Sequence, residues 1–351
     1  MAEVTQESRL HGAILGLAYG DAWASTIPAP THSDFSSENN AFSTTARVST
    51  QTQTALHVIA AVLADLHDRD SDIHRLNQRL DIPGFDELRV KVARSLLHWL
   101  HDPDNNRNPD PATVGALQLL DVRAIITGRE GAAAGGPSGR GLSRSPWLGL
   151  LPSSVNEELV GLIAATQASI THSNPISVAV AAVTALTVRH LHTGVVQPGH
   201  GNVYADLVHS TTQLLNGGGV HVLPHTYGRG LEALHHYLTG PHSQEAVQAT
   251  LDAPATSSIR QHIGVTDNAA AEMLLAAVIT DISATRSPLD VLQQVVNSGG
   301  ETKTLSPLAG TLLGAAHGDS IFPAEWLLHL EPRYQVDLLE TIDLLQAEHT
   351  G

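Results

Sequence analysis

Residues 298 to 304, SGGETKT, put an acid, a base and two threonines behind two glycines, directly before an apolar helix-like stretch, Leu305 to Ala316. Two carboxylates at such a glycine-opened helix start would read as a metal site. Here Glu301 and Lys303 instead place opposite charges one residue apart. Other stretches could hold a ligand. Gly131 to Gly141, which includes Gly139, offers backbone N–H groups on a glycine-rich loop of the kind that cradles a diphosphate, although a merely flexible connection reads the same way. Arg140 and Arg144 beside it read either as added charge for that diphosphate or as solvated surface arginines. Thr171 and His172 precede a helix with Pro175 near its start, as a capping group with a core histidine or as ligand contacts. No HExxH or comparable zinc spacing is present.

These residues need elements to position them, and the pattern is helical. Apolar positions recur at helical spacing in most windows, aromatics are 4% of the chain, and the expected class is all-α. Helices are expected over 8–20, 52–68, 86–100, 111–127, 154–170, 176–191, 202–215, 229–238, 244–251, 266–284, 288–297, 304–317 and 333–346. The first carries Gly12, Gly16 and Gly20, one every fourth residue and so on one face. Glycine costs a helix about 1 kcal/mol per site relative to alanine, so this face needs a packing reason, such as close approach of another helix. Asp21 is expected to end it. Long connections, Ile27 to Arg47, Asp102 to Pro111, Gly128 to Pro152 and Gly217 to Tyr227, are where a ligand is sought. No repeat or long polar linker divides the 351 residues, so one domain, 1–351, is expected.

Composition narrows the function classes. A net charge of −16 argues against general binding to nucleic acid phosphates. The 21 histidines make that charge pH-sensitive below about 6.5. Without cysteine there is no disulfide, thiolate metal site or thiol nucleophile. No uninterrupted apolar run reaches the ~20 residues of a membrane span, and the start MAEVTQESRL lacks a secretory pattern, so a cytoplasmic location is expected. Nothing in the sequence sets the oligomeric state.

Five segments in order, HGAILGLAYGDA (11–22), STQTQTAL (49–56), GLSRSPWLGL (141–150), ITHSNP (170–175) and SGGETKTLSPLAGTLLGAAHGDSIFPAEW (298–326), resemble the ADP-ribosylglycohydrolase family. The resemblance covers about residue 8 to residue 330. It implies a compact orthogonal helical bundle with a cleft that holds two magnesium ions and cuts the bond between ADP-ribose and a side chain. ADP-ribose or an ADP-ribosylated molecule is therefore the expected partner. Family members read Thr-Asp-Asp-Thr where this chain has Ser49, Thr50, Gln51 and Thr52, and Gly-Gly-Asp-Thr-Asp-Thr where it ends in Glu301, Thr302, Lys303 and Thr304. Gly139, Gly141, Ser143, Arg144, His172 and His317 fall at or near its ligand-binding positions, His317 where relatives often place tyrosine close to the adenosine.

The departures set the functional expectation. Magnesium wants charged oxygen ligands, and Thr50 and Gln51 are neutral. An ammonium within about 4 Å repels even a unit charge by about 4 kcal/mol at an effective dielectric near 20, so Lys303 disfavours magnesium, with Glu301 or Asp21 as its expected partner. A glutamate of the family's first loop is replaced by Pro28, which cannot carry a proton, leaving Asp34 and Glu38 farther along. Three readings result: an ADP-ribose-binding or regulatory pseudo-hydrolase, a metal-independent hydrolase with Glu301 or Asp21 as acid–base and Lys303 in place of the metal charge, and a single-magnesium enzyme using Glu301, Asp21, Thr50 and Thr304.

Overall fold

The computed structural model describes residues 4–26, 46–68, 86–105, 107, 109–123, 139–217, 226–252, 268–297 and 302–350. Among them the chain is helical, with one isolated parallel bridge between Ala46 and Leu330 and no strand. In chain order the helices are α1 (Gln6–Thr26), α2 (Thr50–His67), α3 (Asp86–Leu100), α4 (Pro111–Arg123), α5 (Glu157–Ser169), α6 (Pro175–Thr193), α7 (Asn202–Asn216), α8 (Thr226–Thr239), α9 (Pro241–Asp252), α10 (Asn268–Ile282), α11 (Pro288–Asn297), α12 (Thr302–His317), α13 (Trp326–His329) and α14 (Pro332–Thr350). Thirteen of these fall where helical spacing placed them. The four-residue α13 and the short 3₁₀ turns Gly139–Arg144, Pro146–Leu150 and Asp319–Ile321 are additions, too short to show a period.

One boundary moves for a chemical reason. Asp21 does not end α1, which continues to Thr26. An aspartate breaks a helix by bonding to its own backbone, and this carboxylate is bonded elsewhere.

α6 is the interior helix, buried at every position from Ser177 to His192. Asn174 caps it by accepting from the N–H groups of Ile176 and Ser177, Pro175 opens it, and Gly194 closes it at φ 76°. It is long and apolar enough by composition to cross a membrane, but 89% of its apolar window is buried within the bundle, as in a core helix.

The glycine face of α1 meets α12. The two helices run antiparallel so closely that a Cβ on Gly12, Gly16 or Gly20 would stand 2.4, 2.1 or 2.2 Å from the carbonyl oxygens of Gly314, Gly310 and Ser306. Only residues without a side chain permit this approach. The contact brings Asp21 and the first turn of α12 to the same end of the bundle. Beside it Tyr19, Trp23, Phe322 and Trp326 pack edge-to-face, with centroids 5.3 to 5.4 Å apart, and fix α1 to the segment after α12.

Where α5, α6 and α7 meet, His190 Nδ1 lies 2.7 Å from Asp206 and Nε2 3.1 Å from Glu157. Burial lowers its pKa, but the two carboxylates outweigh burial and the net direction is up. Arg189, the next residue, lies near Glu157 and is the other charge at this junction. A raised histidine pKa stabilises the fold fully below the unfolded value of about 6.5 and stops doing so as pH rises through the folded one. The melting temperature of wild type should therefore exceed that of His190→Gln most at pH 5 to 6, with the gap closing on the alkaline side. A gap independent of pH would show the contacts to be uncharged.

Candidate functional site

Asp21 lies at the base of the site, 0% exposed. It accepts hydrogen bonds from the backbone N–H of Ser49 (2.7 Å) and Thr52 (3.2 Å) and from the hydroxyls of Ser49 (2.5 Å) and Thr52 (2.7 Å). A carboxylate at a helix N-terminus satisfies amides that have no partner within the helix and faces the positive end of the dipole. Ser49 is the N-cap of α2 and also accepts from Gln51 N–H. Burial raises the pKa of Asp21 against the lowering effect of these four bonds. With four donors in place and no solvent contact, Asp21 is a positioning group for residues 49–52. Asp21 forms no ion pair with Lys303.

The first turn of α2 forms one wall of a small, narrow cleft lined by Thr50, Gln51, Thr54, Trp99, Asp110, Thr113 and Arg144. Gln51 accepts from the Ser143 hydroxyl through Oε1. Opposite stands the first turn of α4, where Asp110 caps the helix by accepting from Thr113 N–H (3.1 Å) and Thr113 Oγ1 (2.9 Å). The segment carrying Asp110 is held by Arg107, which bonds Glu331 through both Nη atoms (2.5 and 2.9 Å), donates to the carbonyl of Val48 and stacks 5.1 Å from the Tyr334 ring.

Arg144 closes the cleft from the 3₁₀ turn. It is 1% exposed, so the surface reading of this arginine is overturned. Its Nη2 donates to Thr171 Oγ1 (2.6 Å), Thr171 bonds His172 Nδ1 (2.8 Å), and His172 Nε2 lies 3.5 Å from Asp110. Because Arg144 can only donate, the Thr171 hydroxyl accepts from it and donates in turn to His172 Nδ1, which puts the proton of a neutral imidazole on Nε2, facing Asp110 without a hydrogen bond. Burial lowers the His172 pKa, which keeps the ring neutral. Burial raises that of Asp110, but His172 and Thr113 more than offset it and hold the carboxyl far below the usual carboxylate range. Burial brings Arg144 down to about 10, still charged at neutral pH. Nε and Nη1 of Arg144 remain buried without a hydrogen-bond partner.

The remaining expected residues divide. His172 is a fully buried core histidine, and Gly141 lets it pack: a Cβ there would be 2.7 Å from His172 Nδ1. Gly139 opens the 3₁₀ turn. Thr302 and Lys303, on the first turn of α12, are half-buried, and Thr304 is buried. No carboxylate pairs with Lys303 among the described residues. His317 is not brought to the cleft. It ends α12, about 22 Å along the axis from Thr302 at 1.5 Å per residue, and bonds Ser283 Oγ at 2.7 Å. Glu301, Pro28, Asp34, Glu38 and most of the glycine-rich stretch (131–138) lie outside the described residues. Asp110, Thr113, Thr54, Trp99 and Arg107 were not foreseen. The Asp110-Pro111 pair was a readable signal, because a capping residue followed by proline marks a helix start.

Among the described residues no group of three histidines or carboxylates could hold a metal ion. No curated protein matches the sequence. A solved structure described as an ADP-ribosylglycohydrolase-related protein complex has a similar fold, with a TM-score of 0.60 at 18% identity, covering 98% of this chain and 99% of that one. The family model described as ADP-ribosylglycohydrolase matches residues 2–350. An all-helical bundle whose polar helix starts gather around one cleft thus comes with a match over almost its entire length, and the chain belongs to the ADP-ribosylglycohydrolase family.

Proposed function

We propose that this protein binds ADP-ribose, or a molecule that carries it, without the two-magnesium hydrolysis that the family resemblance implies. The observation behind this reading is the wall of the cleft. Thr50 and Gln51 stand where two aspartates are expected, Gln51 is tied to Ser143, and the buried Arg144 guanidinium lines the same space. Magnesium binds charged oxygens in near-octahedral geometry. This donor set offers one ionised carboxylate, Asp110, already shared by Thr113 and His172, and a cation beside it. These residues do not fit a dimagnesium centre. Lys303 supports the same reading: it adds a second positive charge to the helix start that would supply the other ligands. The protein then acts as a reader or regulator built on a hydrolase fold.

Calorimetry with ADP-ribose tests it. Binding is expected with an affinity that changes less than about twofold between excess magnesium and EDTA, with no ADP-ribose released from arginine- or serine-linked ADP-ribose. Ligand bound to the folded state alone raises the melting temperature with the logarithm of its concentration over the dissociation constant. Lys303→Asp should make binding magnesium-sensitive. Turnover that requires magnesium in wild type would sink the proposal.

A further inference from the structure

α14 is lightly embedded, with only five of its 19 residues buried, and imidazoles meet its last turns on three other helices. Gln346 Nε2 donates to Glu7 Oε1 (2.9 Å) and lies 2.9 Å from His11 Nε2 on α1, and Glu348 lies 2.8 Å from His67 on α2. His349, bonded to the carbonyl of Leu150 (2.9 Å), lies over His192 of α6 with the ring centroids 5.6 Å apart. The other end of α14 borders the cleft: Tyr334 Oη accepts from Gln53 Nε2 at 2.6 Å, and Glu331, one residue before the helix, holds Arg107.

His192 is the buried member of this group, 2% exposed. Its Nε2 accepts from Gln6 Nε2 (3.0 Å), so the neutral ring carries its proton on Nδ1, which is buried without an acceptor. The titratable and charged groups that face it are His349 from α14, Arg189 from its own helix and Arg9 from α1, and none is a carboxylate. Burial, then these three groups, bring its pKa down to about 3. A second proton, on Nε2, would break the bond from Gln6 and set a buried imidazolium beside two guanidinium groups. Of the three helices in contact, α6 is the interior helix and α1 is locked to α12 through its glycines, so α14 is the one able to give way.

We infer that α14 is an acid-released latch: it closes over His192 while that imidazole is neutral, and charging of His192 frees the C-terminal half of the helix, with Ile342 and Leu345, from the bundle. Two imidazole–carboxylate pairs near this interface, His67 with Glu348 and His11 with Asp319 (3.6 Å), strengthen in acid and oppose release, but both are partly exposed, and exposed pairs contribute little. His190, two residues from His192, is engaged with Glu157 and Asp206. A histidine depressed in the closed form stabilises that form fully above the ordinary value of about 6.5, and the stability is lost progressively as pH falls below it. Between pH 7.5 and 5.0 the open-to-closed ratio rises about thirtyfold for a released imidazole of ordinary pKa. The inference goes beyond the binding reading and does not depend on it.

Hydrogen exchange on the full chain without ligand tests it, read by mass spectrometry on peptides from α14 and α12 and corrected for intrinsic exchange rates. Opening of residues 340–350 is expected to rise about thirtyfold from pH 7.5 to 5.0, with less than about threefold change in α12. In His192→Gln, which cannot charge, the rise in α14 should shrink to less than about threefold. Because a buried variant risks misfolding, magnetic resonance of the wild-type histidine rings is an independent test, with His192 expected to stay neutral at pH 5 in the closed form. Opening of α14 that ignores pH, an equal rise in α12, an undiminished rise in a folded His192→Gln protein, or a His192 ring that titrates near its ordinary value in the closed form would overturn the inference.

Discussion

Gly16→Ala is expected to destabilise the protein by about 2–3 kcal/mol, the opposite sign from what helix propensity dictates. In an isolated helix the same change gains about 1 kcal/mol, since alanine loses less backbone entropy than glycine. Here the new Cβ would stand 2.1 Å from the carbonyl oxygen of Gly310. Side chains relieve such overlaps by changing rotamer, but both offending groups are backbone within helices. The helices have to separate by about 1 Å, which opens the packed face along its length. Gly310 and Gly314 face the reciprocal problem, with carbonyl oxygens of Gly16 and Gly12 at 2.1 and 1.9 Å from their own added Cβ atoms. Gly16→Leu therefore should not yield a folded protein. Urea midpoints for wild type and Gly16→Ala, with the slope checked for constancy, provide the measurement. An unchanged or raised midpoint would mean that α1 and α12 do not pack as described. Because α1 positions Asp21, the same variant is expected to weaken ADP-ribose binding although Gly16 does not line the cleft.

Much of this architecture was legible in the sequence because helical periodicity and glycine spacing are local signals. Gly12, Gly16 and Gly20 announced a close approach, and α12 supplied it with its own glycines. The limits of legibility are equally physical. Whether Arg144 is buried depends on α2, α4 and the Thr171-His172 turn converging on it, and residue type is silent about convergence. His317 illustrates the converse: its motif position suggested a ligand contact, but the rise of α12 carries it away to Ser283. The identity of Asp21's partners required the fold as well, since Ser49 and Thr52 are about thirty residues away in the chain. What the sequence did carry was the chemistry of the departures. Thr50 and Gln51 as neutral groups opposite a cation follow from residue type once the cleft brings them together.

Asp21→Ala is expected to cost about 4 kcal/mol, and Asp21→Asn only about 1 kcal/mol. Alanine strands two backbone N–H groups and two hydroxyls, and each buried donor left unpaired costs about 1–3 kcal/mol, less where local relaxation admits water. Asparagine retains the shape. Its amide oxygen takes the position of Oδ2, where Ser49 N–H, Thr52 N–H and Thr52 Oγ1 converge, and its NH₂ takes that of Oδ1, where the Ser49 hydroxyl rotates from donor to acceptor. What remains lost is the charge at the α2 N-terminus, which contributes about 0.3–1 kcal/mol at most helix ends and up to about 2 kcal/mol in partly buried ones. The pair of variants separates positioning from proton transfer. A positioning group predicts that ADP-ribose affinity follows stability, nearly kept in Asp21→Asn and lost in Asp21→Ala as the first turn of α2 frays and takes Thr50 and Gln51 out of the cleft wall. A general base predicts instead that both variants bind ligand equally and are equally inactive. Denaturation midpoints and ADP-ribose titrations on the two proteins decide between these outcomes, and equal stability of Asp21→Ala and Asp21→Asn would remove the positioning role.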